Sequence, residues 1–203
     1  LDADGRVRGS PHDVPTSRPQ FLSSARKSRR VLILFSGAYQ RCDGMAMFLR
    51  ARGFEVETLD NDPKVGGGHA DDVLNDKRFS DLYDRIKTGE FLAVFAAPPC
   101  STFSVARFIV PREGKTGAPP VRDREHIRGL TDAAGSSTVP AGHRRELEVA
   151  NKIVARTAAL LHCAALAGTS FICENPADRG DSSLPHLYEE PRHGPIWLMP
   201  EFI

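Results

Sequence analysis

The chain has few residues that form cross-links. Its four cysteines are Cys42, Cys100, Cys163 and Cys173, and no two of them are spaced as Cys-x-x-Cys. This spacing predicts neither a zinc site nor a redox pair, and no other metal site is indicated. A chain of 203 residues also has no need of a disulfide scaffold. We therefore expect reduced thiols in an intracellular, reducing compartment, either nuclear or cytoplasmic.

Long apolar runs and a strong charge of one sign are also missing. No apolar run is long enough to cross a bilayer, and the polar, basic N-terminus lacks the apolar core of a signal peptide. We therefore expect no membrane partner. The net charge is only +1, so the sum of charges does not by itself indicate a nucleic-acid partner. With 40% hydrophobic and 26% charged residues, the composition is that of one α/β domain with appendages.

The two ends of the chain indicate a piece of something longer. The chain begins with Leu1 instead of Met and stops at Ile203 within an apolar stretch. Residues 1 to 30 are rich in Pro, Ser, Asp and Arg without apolar periodicity, which predicts a largely unstructured arm. A cationic cluster ends this arm, and it is either a solvated flank of the domain or a phosphate contact. The cluster consists of Arg26, Lys27, Arg29 and Arg30.

Apolar runs alternate with segments of helical spacing from residue 31 to residue 176. Strands are predicted at residues 31–35, 55–59, 91–95 and 170–173. Helices are predicted around residues 45–49, around residues 79–86 and from Glu146 to Ala167, with Gly168 closing the last one. This alternation predicts a doubly wound, mostly parallel α/β sheet of the Rossmann-like kind over residues 31 to 203.

Residues that can carry chemistry stand at the carboxyl ends of these strands, where ligands bind in open α/β sheets. Two prolines stiffen the backbone directly before Cys100, which suits a nucleophile that needs a fixed, exposed presentation. Glu174 ends the last strand and is placed to donate or share a proton, while Asn175 offers an amide for orientation. The alternatives are a buried structural cysteine and a glutamate that caps a neighbouring helix.

Acidic residues after the second strand are typical of a nucleoside-binding site. Asp60 stands where ribose hydroxyls are accepted in dinucleotide-binding folds. The glycines after the first strand, Gly37 and Gly44, do not form Gly-x-Gly-x-x-Gly, so this signal is weak alone. Asp72 follows three consecutive glycines and could reach an adenine amine, although the adjacent Asp71 is equally available.

Residues 105 to 143 form a long, charged stretch rich in Gly and Pro. Its length exceeds that of a passive connection, so we expect a mobile loop that acts as a lid or binding surface. Basic side chains suited to contact phosphates are spread along it. They are Arg107, Arg112, Lys115, Arg122, Arg124 and Arg128.

Several of these segments together resemble the DNA cytosine-C5 methyltransferases. The segment Phe95-Ala-Ala-Pro-Pro-Cys-Ser-Thr-Phe-Ser104 resembles their Pro-Cys-x-x-Phe-Ser signature, and Phe171-Ile-Cys-Glu-Asn-Pro176 resembles their Glu-Asn-Val motif. The remaining resemblances follow the same order along the chain. Phe35-Ser-Gly37 is similar to the Phe-x-Gly that opens their S-adenosylmethionine loop, Asp60-Asn-Asp62 to their Glu-x-Asp, and Asp72-Val73 to their Asp-Ile.

The resemblance implies S-adenosylmethionine-dependent methylation of C5 of cytosine in DNA. Cys100 would add to C6 of the base, and Glu174 with Asn175 would contact it. The base would have to be flipped out of a duplex or lie in a single strand. The implied cofactor-binding residues are Phe35, Ser36, Gly37, Asp60, Asn61, Asp72, Val73 and Pro98. The implied nucleic-acid contacts are Ser104, Arg107 and Arg112.

Departures from the family pattern define the alternatives. The cofactor loop reads Ala38-Tyr39-Gln40 where the family has glycine, and no Gln-x-Arg-x-Arg or target-recognition domain is evident. We therefore expect a missing domain or a partner chain to read the target. The same chemistry on RNA, or a non-catalytic methyltransferase-like module that binds nucleic acid or a partner, are the alternatives. An amino-methyltransferase would need Asp/Asn-Pro-Pro-Tyr/Phe, whereas Ala97 and Cys100 flank the prolines here.

Overall fold

A computed structural model describes residues 28–38, 43–109 and 117–203. Most of the expected N-terminal arm therefore lies outside the described residues, as do Cys42 and the proposed nucleic-acid contact Arg112. The described part contains one sheet and three α-helices, so the α/β class expected from the sequence is confirmed.

Four strands form a parallel sheet in the order β2-β1-β3-β4. Their bounds are β1 (Arg30–Leu34), β2 (Glu55–Leu59), β3 (Ala93–Ala96) and β4 (Ser170–Cys173). The chain moves outward from β1 to β2 and then crosses back to the other side of β1, so the order reverses between β1 and β3. In open α/β sheets this reversal is the point where ligands bind.

Three α-helices connect the strands: α1 (Met45–Ala51), α2 (Asp76–Lys87) and α3 (Ala141–Leu166). The side chain of Asn75 caps α2 by accepting from the amide N–H of Arg78 at 3.2 Å. The helix α3 begins at Ala141 and not at Glu146 as the sequence predicted, because Pro140 sets the helix entry five residues earlier. It ends close to the predicted position, with Gly168 at a φ of 72° beyond the C-cap.

The main core lies between the sheet and the helices α2 and α3. The connection from β1 to β2 moves across the sheet in one direction, and the connections from β2 to β3 and from β3 to β4 move in the other. Because crossovers are right-handed, α1 lies on one face of the sheet and α2 and α3 lie on the other. The largest apolar side chains of the core are fully buried. They are Leu32, Leu34, Leu59, Leu82, Ile86, Val94 and Leu160. At the β4 edge, Phe171 and Ile172 remain exposed.

The sequence predicted no segment able to cross a bilayer, and α3 is an exception to that expectation. By length and hydropathy this helix of 26 residues is apolar enough to do so. Half of its most apolar window is buried within the fold, however, against the sheet and α2. The core helix of a globular domain has this same composition, so the finding carries no argument for a membrane partner.

The stretch expected to be a mobile loop is packed over much of its described length. Val121 and Val139 are buried against Leu147 of α3 and form a small second core. Thr131 pairs with Ser137 in an antiparallel bridge. Because residues 117 to 140 bury apolar side chains, this packing is at odds with a free lid over the whole of residues 105 to 143.

After β4 the chain folds back beneath the sheet edge without further strands. Two 3₁₀ turns, Ile196–Leu198 and Pro200–Phe202, end this segment. The side chains of Ile196 and Met199 are fully buried against Phe103 and Val154. The C-terminal segment is therefore attached to the region that follows β3.

Candidate active site at the carboxyl ends of the strands

The segments that carry Cys100 and Glu174 leave neighbouring strands. β3 and β4 pair in parallel, and the amide N–H of Glu174 donates to the carbonyl O of Ala96 at 2.8 Å. Beyond the strands, Nδ2 of Asn175 donates to the carbonyl O of Pro98 at 2.9 Å. The pairing therefore continues past the sheet, and the Pro-Pro-Cys and Glu-Asn-Pro segments run side by side.

Cys100 stands at the start of a 3₁₀ turn, Ser101–Phe103, and its side chain is exposed. Its carbonyl O accepts from the amide N–H of Phe103 at 2.9 Å, which closes the turn. Thr102 and Phe103 are each only 2% exposed, so the turn is anchored although the thiol is accessible. Glu174 on the adjacent segment is exposed as well.

The described cysteines differ in how well they could react. Within the described ranges, Cys100 is the exposed cysteine, whereas Cys163 is buried in the main core. Burial and the negative charge of Glu174 raise the pKa of Cys173 to about 11, so this thiol stays protonated near neutral pH. Because the thiolate is the nucleophile, the raised pKa disfavours Cys173 and burial disfavours Cys163, whereas Cys100 is accessible.

Each residue of the turn after Cys100 is held by a side chain from outside the turn. Nε of Arg107 donates to the carbonyl O of Ser101 at 2.7 Å, and Nη2 of Arg122 donates to Oγ1 of Thr102 at 3.0 Å. Nε2 of His193 donates to the carbonyl O of Phe103 at 2.8 Å. All three of these side chains are buried. The turn is thus fixed from behind while the thiol stays open to solvent.

Arg107 lies inside the fold and not on the surface expected for a phosphate contact. Its guanidinium also donates to the carbonyl O of Pro119 at 3.0 Å and to the carboxylate of Glu146. The same carboxylate accepts from Oγ of Ser101 and pairs with His143, each at 3.1 Å. Burial alone would raise the pKa of Glu146, but the hydrogen bonds from His143 and Arg107 outweigh it and lower that pKa. We therefore assign Arg107 to support of the turn.

Ser104, also expected at the nucleic acid, caps the next short turn. Its hydroxyl accepts from the amide N–H of Ala106 at 3.2 Å and begins the 3₁₀ turn Val105–Phe108. The residue is half-buried, and this capping bond accounts for a serine at the position.

A second group of expected residues lines a cleft at the ends of β1 and β2. Ser36, Gly37 and Asp60 all line it, beside Gly67 and Asp71. The carboxylate of Asp60 accepts from the amide N–H of Gly37 through one oxygen and from that of Asp62 through the other, each at 2.9 Å. A carboxylate offers about four lone-pair positions, so Asp60 can accept further hydroxyl donors.

The other residues expected at a cofactor are not among those that line this cleft. Phe35 and Val73 pack into the main core, and the carboxylate of Asp72 accepts from the amide N–H two residues further on at 2.8 Å. Asp71, which the sequence could not separate from Asp72, lines the cleft instead. Asn61 is exposed beside Asp60, and Pro98 is buried below Cys100.

Phe35 adopts an unusual backbone conformation where the chain leaves β1. Its φ of +60° lies in the left-handed region, which costs a non-glycine residue about 1–3 kcal/mol. This conformation turns the chain from the strand into the Ser36-Gly37 loop. Such strain occurs most often beside ligand-binding and catalytic groups, which agrees with a cleft at this place.

Comparison with known proteins yields no relative. The chain matches no protein-family model, no curated protein and no solved structure. The arrangement of side chains at the strand ends therefore carries the functional argument.

The close approach of Gly67 to Asp60 gives a first testable prediction. A methyl group at Gly67 would lie 1.6 Å from the carbonyl O of Asp60, so Gly67→Ala must displace one of the two backbones. We expect this variant to lower the free energy of unfolding by about 1–3 kcal/mol, measured by urea denaturation. Gly68→Ala is the matched control, because that position has extended backbone and no atom within 4 Å of a new Cβ. Equal unfolding midpoints for the two variants would contradict the close contact.

Sequence reasoning missed the residues that support the site from behind. Arg122 was expected to contact phosphates, Glu146 was named only as the start of a predicted helix, and His193 and Trp197 were not singled out. Their partners are distant along the chain, 20 residues for Arg122 with Thr102 and 90 for His193 with Phe103. No short motif encodes contacts of this range. The one sequence signal for the buried position of Arg122 is that it directly follows the apolar Val121.

Proposed function

We propose that this protein methylates C5 of cytosine in DNA, with Cys100 as the nucleophile and S-adenosylmethionine as the methyl donor. The observation that carries the proposal is the hydrogen bond from Asn175 to Pro98, which joins the two motifs at the end of paired parallel strands. An exposed thiol and the exposed carboxylate of Glu174 on adjacent segments suit covalent catalysis on a pyrimidine ring.

In the proposed reaction the thiolate of Cys100 forms a bond to C6 of cytosine. The electron pair of the C5–C6 double bond moves to C5, while Glu174 contacts N3 and the exocyclic amine and stabilises the adduct. S-adenosylmethionine would supply the methyl group to C5 and would leave as S-adenosylhomocysteine when its S–CH3 bond breaks. A base then removes the C5 proton, its electron pair restores the C5–C6 double bond, and the bond from Cys100 to C6 breaks.

The cleft at the ends of β1 and β2 supports a nucleoside-containing cofactor. Asp60 and Asp71 offer carboxylate oxygens for ribose hydroxyls, and the Ser36-Gly37 backbone lies opposite them. The cleft has a volume of about 200 Å³, which is below the ≈ 300–1,000 Å³ of sites that enclose a whole drug-sized ligand. We therefore assign it to the ribose end of the cofactor.

The target must reach Cys100 as an unstacked base. Chemistry on C5 and C6 of cytosine is blocked inside a duplex, so a flipped base or a single strand is required. The described residues form a single sheet with its helices. We therefore propose that a further domain or a partner chain reads the target sequence.

A covalent trap tests this proposal on the wild-type protein. DNA oligonucleotides with 5-fluorocytosine in random flanking sequence, mixed with protein and S-adenosylmethionine, should give a complex that survives denaturing gel electrophoresis. The base that removes a C5 proton cannot remove fluorine, so the adduct with Cys100 persists. The same oligonucleotides with unmodified cytosine are the control and should leave no persistent complex.

The polymer is tested in the same experiment with matched RNA oligonucleotides. A complex with DNA and none with RNA would support DNA as the substrate, and the reverse would assign the chemistry to RNA. No complex with either polymer would refute the enzymatic proposal. Oligonucleotide binding without any adduct would then indicate a non-catalytic module.

A further inference from the structure

The C-terminal segment from His193 to Met199, which we call the brace, contacts both halves of the proposed site. His193 forms its first end and is 1% exposed. Its ring Nδ1 accepts from the amide N–H of Arg179 at 3.0 Å, so the neutral ring carries its proton on Nε2. That Nε2 donates to the carbonyl O of Phe103 at 2.8 Å, three residues after Cys100.

Trp197 forms the second end of the brace. Its Nε1 donates to the carbonyl O of Pro176 at 3.0 Å, two residues after Glu174. The indole packs edge-to-face on Phe202, with ring centroids 5.9 Å apart, which holds its plane. One short segment thus reaches the backbone just beyond each proposed catalytic residue.

Buried side chains between these two ends make the brace stiff. Ile196 and Met199 are fully buried and pack with Phe103 and with Val154 of α3. Because a close-packed contact transmits displacement, a shift at one end of the brace moves the other. The brace is therefore tied to α3 as well as to both site segments.

We propose that the brace sets the position of Cys100 relative to Glu174, with His193 and Trp197 as positioning residues; the catalytic consequence rests on the proposed function. The hydrogen bond from Asn175 fixes the two segments where they leave the sheet. The brace fixes them again beyond the reactive groups. Thiol and carboxylate must meet the same base, and a misplacement of about 1 Å can cost about 10²-fold in rate.

Trp197→Phe tests the brace, because it removes the Nε1 donor and keeps an aromatic ring. We expect the rate of adduct formation with 5-fluorocytosine DNA at saturating oligonucleotide to fall about 10- to 100-fold. The oligonucleotide affinity and the midpoint of urea unfolding should stay close to those of the wild type. Tyr188→Phe is the control, since it removes a polar group from an exposed aromatic of the same region and should keep the wild-type rate. A wild-type rate for Trp197→Phe would overturn the proposal.

Amide hydrogen exchange tests the brace without any reaction. Without substrate, Trp197→Phe should increase exchange in the segment around Pro176 and also in the turn after Cys100, because the brace couples them. An increase confined to the segment around Pro176, or none, would overturn the brace even if the wild type forms the adduct. If the wild type forms no adduct but exchange rises at both places, the proposed function fails and the brace stands as a structural coupling.

Discussion

Cys100→Ala is expected to abolish the covalent complex with 5-fluorocytosine DNA completely. The sulfur is the atom that bonds to C6, and no other group can replace it in that step. Cys100 is exposed at the start of its turn, so removing the sulfur should change the free energy of unfolding by no more than about 0.5 kcal/mol. The loss of the complex would therefore report chemistry and not unfolding. Denaturing gels and urea denaturation of the same preparation measure the two effects.

Cys173→Ala is the matched control for this substitution. It lies in β4, directly before Glu174, and burial together with that carboxylate raises its pKa to about 11. A thiol of this pKa contributes almost no thiolate at neutral pH, so the variant should keep the complex. An undiminished complex with Cys100→Ala, or its loss only with Cys173→Ala, would contradict the assignment of the nucleophile.

Arg122→Ala is expected to lower the free energy of unfolding by about 3–5 kcal/mol. The side chain is 1% exposed, and its guanidinium lies 3.8 Å from the ring centre of Phe103. Truncation would open a cavity there and would remove the donor from one buried and two half-buried acceptors, at a cost of about 1–3 kcal/mol for an acceptor that stays fully buried. These acceptors are the carbonyl O of Ile127 at 2.6 Å, Oγ1 of Thr102 at 3.0 Å and Oδ1 of Asn151 at 3.1 Å.

The charge of Arg122 is itself expensive to bury. Burial, together with the positive charge of Arg107, lowers the pKa of Arg122 to about 9. Substitution of Arg122 is nevertheless destabilising, because the acceptors that it satisfies lose their donor. Its contacts join the turn after Cys100 to the loop before α3 and to α3 itself. We therefore expect Arg122→Ala to loosen the turn after Cys100 as well as to lower the free energy of unfolding.

Arg128→Ala is the control for Arg122→Ala on the same loop. Its side chain is 55% exposed and pairs with Glu201 at 2.6 Å. Arg128 is largely exposed and Glu201 is 20% exposed, so we expect the loss of this ion pair to cost about 1 kcal/mol and to shift the urea midpoint less than Arg122→Ala does. The comparison holds if the slope of unfolding free energy against urea is the same for both variants. Equal midpoints would show that Arg122 does not hold the fold as its contacts indicate.

The strands, and the positions of the candidate residues at their carboxyl ends, could be predicted because both follow from local patterns. Short apolar runs such as residues 31–35 are long enough for a buried strand and too short for a helix. Alternation with helices implies parallel strands, and parallel strands bring their carboxyl ends to one edge. That reasoning placed Cys100 and Glu174 at one edge of the sheet, and the structure adds that their strands, β3 and β4, are neighbours.

The support of the site could not be predicted because it depends on contacts between distant parts of the chain. Arg107 and Arg122 lie in a stretch with the composition of a solvated, phosphate-binding loop. In the structure both are buried, and Val121 and Val139 of the same stretch pack against α3. The start of α3 was misplaced because residues 141 to 145 lack large apolar side chains. Periodicity detects buried faces, so it misses a helical turn that packs little.

The order of segments along the chain has a consequence for synthesis. All four strands have been made once Cys173 is in place, but His193 and Trp197 come later. The contact between His193 and Phe103 closes a loop of 90 residues, and such closures form late because their entropy cost precedes any gain. Residues near the N-terminus of a chain leave the ribosome first. The nascent sheet would thus carry an accessible thiol before the last turns of the chain hold it in place.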